Sequence, residues 1–192
     1  MKENLINHNP DTALQRPDRG PIEIPELLIP YYEGKKVVEI GFAGGDYIPI
    51  WAAHAKEVIG YEADESRFAV ASAQENIKNL DNVFLLSQIV TPEEIIDADF
   101  YYGWSTLPLP IEFIDRLKSA GKKGTFAFYG GWAERDLSEH TEGGNMCFRT
   151  EKELEELNDC EVIYFKSKEL DNRPQFDNLS KTNEYTIIIK HF

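Results

Sequence analysis

One short stretch constrains this chain more than any other: Val37-Val38-Glu39-Ile40-Gly41-Phe42-Ala43-Gly44-Gly45-Asp46. An apolar run ends in a carboxylate, breaks into a turn of small residues, and gives way to a helical pattern. In a parallel α/β sheet such a junction lies outside the carboxyl end of a strand, where ligands bind. Residues without a bulky Cβ let backbone approach a ligand closely. Further on, Val58-Ile59-Gly60-Tyr61-Glu62 reads as a second strand that also ends in an acid. An acid at that place suits the hydroxyls of a ribose.

The spacing of the small residues bears on which ligand. A dinucleotide fingerprint is G-x-G-x-x-G, whereas here Gly41, Ala43 and Gly45 fall on alternate positions. Glu39 and Asp46 also bracket the turn. A pyrophosphate beside them would meet like charge, at about 4 kcal/mol per pair at 4 Å and an effective dielectric of 20. A ligand with positive charge meets the opposite situation.

From residue 36 onward strand and helix patterns alternate. Strands are expected over 36–41, 57–62, 82–88, 99–102 and 124–129. Helices are expected after Asp46, through Ile48, Trp51 and Ala52, and after Asp64, where Phe68 or Ala69, Ala73 and Ile77 recur at helical spacing. Asp46 and Asp64 are the expected caps. Thr91-Pro92-Glu93-Glu94 reads as the cap and first turn of a short helix, and 110–119 and 151–157 as two more. Two strands, 161–166 and 184–191, then follow with only a polar, turn-rich stretch (167–183) between them. Strands joined without a crossover helix pair antiparallel. The expected fold is therefore α/β: a Rossmann-like three-layer sandwich whose mostly parallel seven-stranded sheet closes on a C-terminal antiparallel hairpin.

At Glu39, Gly41, Ala43, Gly45 and Glu62 the chain resembles the class I S-adenosylmethionine-dependent methyltransferases, whose first motif reads [DE]-x-G-x-[GA]-x-G. The resemblance covers about 36–192. It implies an S-adenosylmethionine cofactor, which carries an ammonium, a sulfonium and a ribose but no phosphate. It also implies a cofactor-binding set of Glu39, Gly41, Phe42, Ala43, Gly45, Glu62, Ala63, Gln88 and Tyr101. Within that set Glu39 faces the methionine end, Glu62 holds the ribose hydroxyls, and Ala63 lies beside the adenine. Ser87 and Gln88 stand where the family often has an aspartate reading the adenine amino group. Ala43 replaces the commoner glycine. The N-P-P-Y pattern of base-amine methyltransferases is absent.

The end of the fourth strand, Tyr101-Tyr102-Gly103-Trp104, faces the transferred methyl in such folds. Aromatic faces near a sulfonium gain about 0.5–2 kcal/mol by cation–π attraction. Trp104 is one candidate for touching the reacting groups. His140 is the other, as a general base with a suitable pKa, in a long polar loop after the fifth strand that also holds Trp132, Asp136, Glu139 and Glu142. Neither these acids nor His8, His54 and His191 form a metal pattern.

The rest of the chain narrows the alternatives. Residues 1–35 read as a proline-rich N-terminal extension or lid, with Pro10, Pro17, Pro21, Pro25 and Pro30 restricting it to turns and one short helix near 26–29. Arg16, Asp18 and Arg19 are its most ligand-like side chains. Residues 36–192 are expected to form the cofactor-binding domain, a usual size for one domain. The formal charge of −14 comes from 34 acids against 20 basic residues. That balance argues against a nucleic-acid partner, because phosphate recognition relies on Lys and Arg. A small molecule or a protein side chain is the expected acceptor. Cys147 and Cys160 lack disulfide or metal spacing, the N-terminus lacks a secretion-signal profile, and no apolar run could cross a membrane, so the expected location is cytoplasmic. Two other functions compete with methyl transfer: a non-catalytic module that binds S-adenosylmethionine or S-adenosylhomocysteine and acts through a partner, and an NAD-dependent oxidoreductase. Oligomeric state leaves no mark in the sequence.

Overall fold

The computed structural model describes residues 23–104, 110–132, 147–148, 160–166 and 184–192. Two short helices come first, α1 (Glu23–Leu27) and α2 (Ile29–Tyr32). Alternation then sets in with β1 (Lys36–Ile40), α3 (Ile48–His54), β2 (Glu57–Glu62), α4 (Glu65–Ala73), α5 (Glu75–Lys78) and β3 (Val83–Ser87). After these come β4 (Phe100–Trp104), α6 (Pro110–Ser119), β5 (Thr125–Trp132), β6 (Cys147–Phe148), β7 (Cys160–Lys166) and β8 (Glu184–His191).

The strands lie in the order β3-β2-β1-β4-β5-β8-β7, with the two-residue β6 pairing on β5. The first five are parallel; β8 runs antiparallel to both β5 and β7. The order reverses between β1 and β4, because β1 pairs with β2 on one side and β4 on the other. Ligands bind at such a switch point in open parallel sheets. The acid-flanked turn leaves the sheet there.

Strand alternation sends neighbouring residues into two separate cores. Val37, Trp51, Phe100, Tyr102, Ile187 and Ile189 belong to one, and Val38, Tyr61, Tyr101, Phe126, Ile188 and Leu117 to the other. Ile24, Leu28 and Tyr32, from the proline-punctuated N-terminal stretch, are fully buried in the first. Tyr31 next to them donates its hydroxyl to Glu161 Oε1 at 2.5 Å, linking α2 to β7.

Three local expectations change. Asp46 does not cap α3; the cap position is Tyr47, and no side chain caps there. Pro49 occupies the second helical position, so an amide that a cap would accept from is missing. The helix after Asp64 begins as expected, with the Asp64 carboxylate accepting from Ser66 N and Arg67 N. It breaks at Gln74, whose extended backbone separates α4 from α5. Thr91–Glu94 forms one turn, in which Glu94 N and Ile95 N donate to Thr91 O, and no helix follows. Downstream amides are taken by phenols instead: Ile96 N donates to the Tyr61 hydroxyl and Ala98 N to that of Tyr101. A helix needs those amides for its own ladder.

The expected helix at 151–157 and the polar stretch 167–183 lie outside the described residues. No helix among the described residues is long and apolar enough to cross a membrane.

Candidate cofactor site

Leaving β1, the backbone turns through the left-handed region at every second residue: Gly41 (φ 75°), Ala43 (φ 51°) and Gly45 (φ 83°). Only glycine adopts that region freely. Ala43 is the one residue other than glycine with positive φ among those described, and such a conformation costs an ordinary residue roughly 1–2 kcal/mol. What holds it is a hydrogen bond from Ala43 N to Glu62 Oε2 at 2.7 Å.

Other contacts fasten the turn from three sides. Gly41 N donates to Tyr61 O at 2.7 Å and Gly45 N to Phe42 O at 2.8 Å. Gln74, at the break between α4 and α5, donates its side-chain amide to Gly44 O at 2.5 Å. A Cβ on Gly45 would lie 2.8 Å from Ile77 Cδ1 and 3.0 Å from Ala71 Cβ. Gly45→Ala is therefore expected to lower the unfolding free energy by about 2–3 kcal/mol, from overpacking and left-handed strain together. Urea denaturation of the variant beside the parent checks this.

Two buried carboxylates flank the turn, Glu39 at 4% exposure and Glu62 at 6%. Glu62 accepts Ala43 N on one oxygen and Asp64 N on the other, at 2.7 and 2.9 Å. Charge-assisted bonds of this kind hold an acid in place. Glu39 has a different partner: Trp51 Nε1 donates to its Oε2 at 3.0 Å. Burial pushes the Glu39 carboxyl from the usual 4.5 up to about 8, against the lowering effect of the indole hydrogen bond, with Asp46 and Glu62 raising it further. The turn thus has an excess of negative charge that favours either a proton or a cation.

Most of the expected site residues converge here. Glu39, Gly41, Ala43, Gly45 and Glu62 surround the one turn. Ala63 is exposed just beyond Glu62, and Gln88 is exposed one residue past β3. Glu62 and Ser87 are register partners, so these two strand ends lie side by side.

Two residues do not fit the expectation. The Phe42 side chain is buried under the turn, where a Cβ on Gly60 would come within 2.6 Å of its Cδ1. Tyr101 points into the opposite core, and its hydroxyl accepts from Ala98 N at 2.9 Å. Strand alternation is the reason: Tyr102, the register partner of Glu39, shares the Trp51 core, and its neighbour must face away.

Trp104 ends β4, paired with Tyr129. Arg16, Asp18, Arg19, Asp136, Glu139, His140 and Glu142 lie outside the described residues. Among the described residues no cluster of ligating side chains could hold a metal ion.

Sequence reading missed Trp51 and Gln74 as parts of the site. A buried strand acid requires a donor, and Trp51 was the one indole in the helix that follows. Nothing local marked Gln74.

The strand order and the antiparallel end are those of the class I Rossmann-like methyltransferase fold. No family model and no curated protein matches the chain in sequence. Among solved structures, an S-adenosylmethionine-dependent methyltransferase from Aquifex aeolicus superposes with TM-score 0.57 at 19% identity, over 95% of this chain and 97% of that one. A precorrin 8W decarboxylase from Methanobacterium thermoautotrophicum gives 0.60 at 16%, over 93% and 95%. An rRNA methylase from Streptococcus thermophilus gives 0.57 at 12%, over 91% and 98%. The last similarity corrects the expectation about nucleic acid. A protein of this fold is an rRNA methylase, so an overall charge of −14 does not exclude a nucleic-acid acceptor. Net charge is an average, whereas phosphate recognition depends on a local patch.

Proposed function

We propose that the chain is an S-adenosylmethionine-dependent methyltransferase. The observation that carries the reading is the pair of buried acids, Glu39 and Glu62, on either side of a turn that repeatedly enters the left-handed region. The residues fit this cofactor by charge. Glu39 is held in want of a positive partner, which an ammonium supplies. A pyrophosphate would instead meet Glu39, Asp46 and Glu62, which counts against a dinucleotide.

In this reading the Glu39 carboxylate binds the ammonium end, with its Oε2 already fixed by Trp51. Glu62 accepts from the ribose hydroxyls through the lone pairs left by Ala43 N and Asp64 N. Gly41, lacking a Cβ, leaves the turn open to close backbone approach, whereas the bare Cα of Gly45 lets the turn pack on Ile77 and Ala71. Ala63 and Gln88 border the adenine. When bound, the cofactor supplies an already activated methyl group, so the protein's task is mainly to hold the two reactants in line and exclude water. Trp104, the last residue of β4, is the candidate for meeting the acceptor. The acceptor class stays open to small molecules, proteins and nucleic acid alike.

Calorimetry with S-adenosylmethionine and S-adenosylhomocysteine tests the pocket, and a tritiated-methyl screen against fractionated cell extract tests transfer. Binding in the micromolar range with label moved to one fraction is the expected outcome. Binding without transfer to any fraction would favour a non-catalytic module. Absence of binding would end the reading.

A further inference from the structure

Trp51 is the only side chain to which the described structure gives a hydrogen bond to Glu39, and it comes from a different element. Its indole is fully buried and is itself locked by aromatic neighbours. Tyr32 meets it edge-on at 4.9 Å between ring centroids, Tyr102 lies at 5.2 Å, Phe100 at 6.0 Å and Tyr47 at 6.1 Å. A ring held on so many sides cannot rotate away from the carboxylate. Its Nε1–H is a donor with no acceptor capacity, so it always supports the ionised acid and never competes with a cation for it.

We propose that Trp51 is the positioning residue of the cofactor site: its indole N–H fixes the Glu39 carboxylate and favours the charged state that receives the ligand's ammonium. This rests on the cofactor reading above. The other charged groups facing Glu39 are Asp46 from the turn and Glu62 from β2, and both oppose its ionisation. Tyr47 and Tyr102 are the neighbouring titratable phenols, and each touches the indole. The Trp51 bond is thus the one interaction named here that works against burial and against both acids.

A consequence is that ligand binding releases a proton. Below about pH 8 the free protein holds Glu39 mainly protonated, and a cation selects the ionised form. Affinity should therefore rise by nearly tenfold per pH unit between pH 5.5 and 7.5, a range in which an α-amino group of pKa about 7.7–8.0 is still largely charged.

The test is calorimetry of S-adenosylmethionine binding from pH 5.5 to 7.5, in buffers of different ionisation enthalpy, for the parent, Trp51→Phe, Glu39→Gln and the double variant. The parent should release close to one proton at pH 7. Trp51→Phe keeps an aromatic ring but no donor, and should bind about tenfold more weakly at pH 7, with the proton release retained. Glu39→Gln should release none. In the Glu39→Gln background the same Trp51 change should cost less than twofold, because the charge it supports is gone. An equal loss in both backgrounds would reduce Trp51 to packing and overturn the proposal. Should Trp51→Phe fail to fold, nuclear magnetic resonance of the parent decides: one indole N–H signal must move as Glu39 titrates, and the movement must vanish in Glu39→Gln. No such movement overturns the proposal. Failure of the parent to bind at any pH removes the cofactor reading itself, a result distinct from binding without proton release.

Discussion

In urea at pH 8, Glu39→Gln is expected to be more stable than the parent by on the order of 3 kcal/mol, with the difference vanishing near pH 4.5. The sign follows from the raised carboxyl. Between the usual 4.5 and about 8 the folded chain holds a proton that the unfolded chain has lost. Unfolding therefore becomes easier as pH rises through that interval, by up to about 1.4 kcal/mol per unit. Stability contributed by the neutral acid is complete below pH 4.5 and gone above 8. Glutamine is neutral throughout and keeps a carbonyl oxygen for the Trp51 indole. The gain should come with a loss of S-adenosylmethionine affinity of at least a hundredfold at pH 7.5, since an amide cannot balance an ammonium. Stability gained where binding is lost is the usual sign of a residue kept for function. Denaturation curves at pH 5, 6.5 and 8, each beside a binding isotherm, check both halves. A stability difference that did not grow with pH would mean Glu39 is already ionised in the free protein.

Glu62→Ala should have the opposite effect on stability and the same effect on binding. Its two oxygens accept Ala43 N and Asp64 N in a buried setting. Truncation leaves two donors without an acceptor, at roughly 1–3 kcal/mol each. A loss of about 3 kcal/mol is expected in urea. The Ala43 bond also holds a left-handed non-glycine residue in place, so the turn itself should relax. Affinity for S-adenosylmethionine should fall at least tenfold beyond what the unfolded fraction explains. Calorimetry at 10 °C, where the variant stays folded, separates the two effects. Full stability with lost binding would mean that other groups satisfy the two amides.

Comparison of the two acids shows what could be read in advance. Both were legible as strand-end carboxylates, because an apolar run followed by an acid and small residues is a local pattern. Their partners were not. Glu62 holds a backbone amide on the turn after β1, and Glu39 an indole on the helix after it; both pairings exist only once β1, β2 and α3 are packed. The same divide separates Tyr101 from Tyr102. Sequence placed both at a strand end near the site, but register against Val38 and Glu39 decides which core each one enters.

The chain by itself determined the alternation of strands and helices, the antiparallel ending and the position of the turn. Each of these rests on side-chain period or on backbone freedom within a few residues. Only the tertiary structure decided that α4 stops at Gln74 and that no helix follows Thr91. A side-chain amide reaching Gly44, and the Tyr61 and Tyr101 hydroxyls capturing Ile96 N and Ala98 N, come from elements that local propensity cannot see. Likewise the charge state of Glu39 depends on removal from water and on two acids that folding brings together. Short-range preference selects the elements; desolvation and long-range hydrogen bonding select what the site can do.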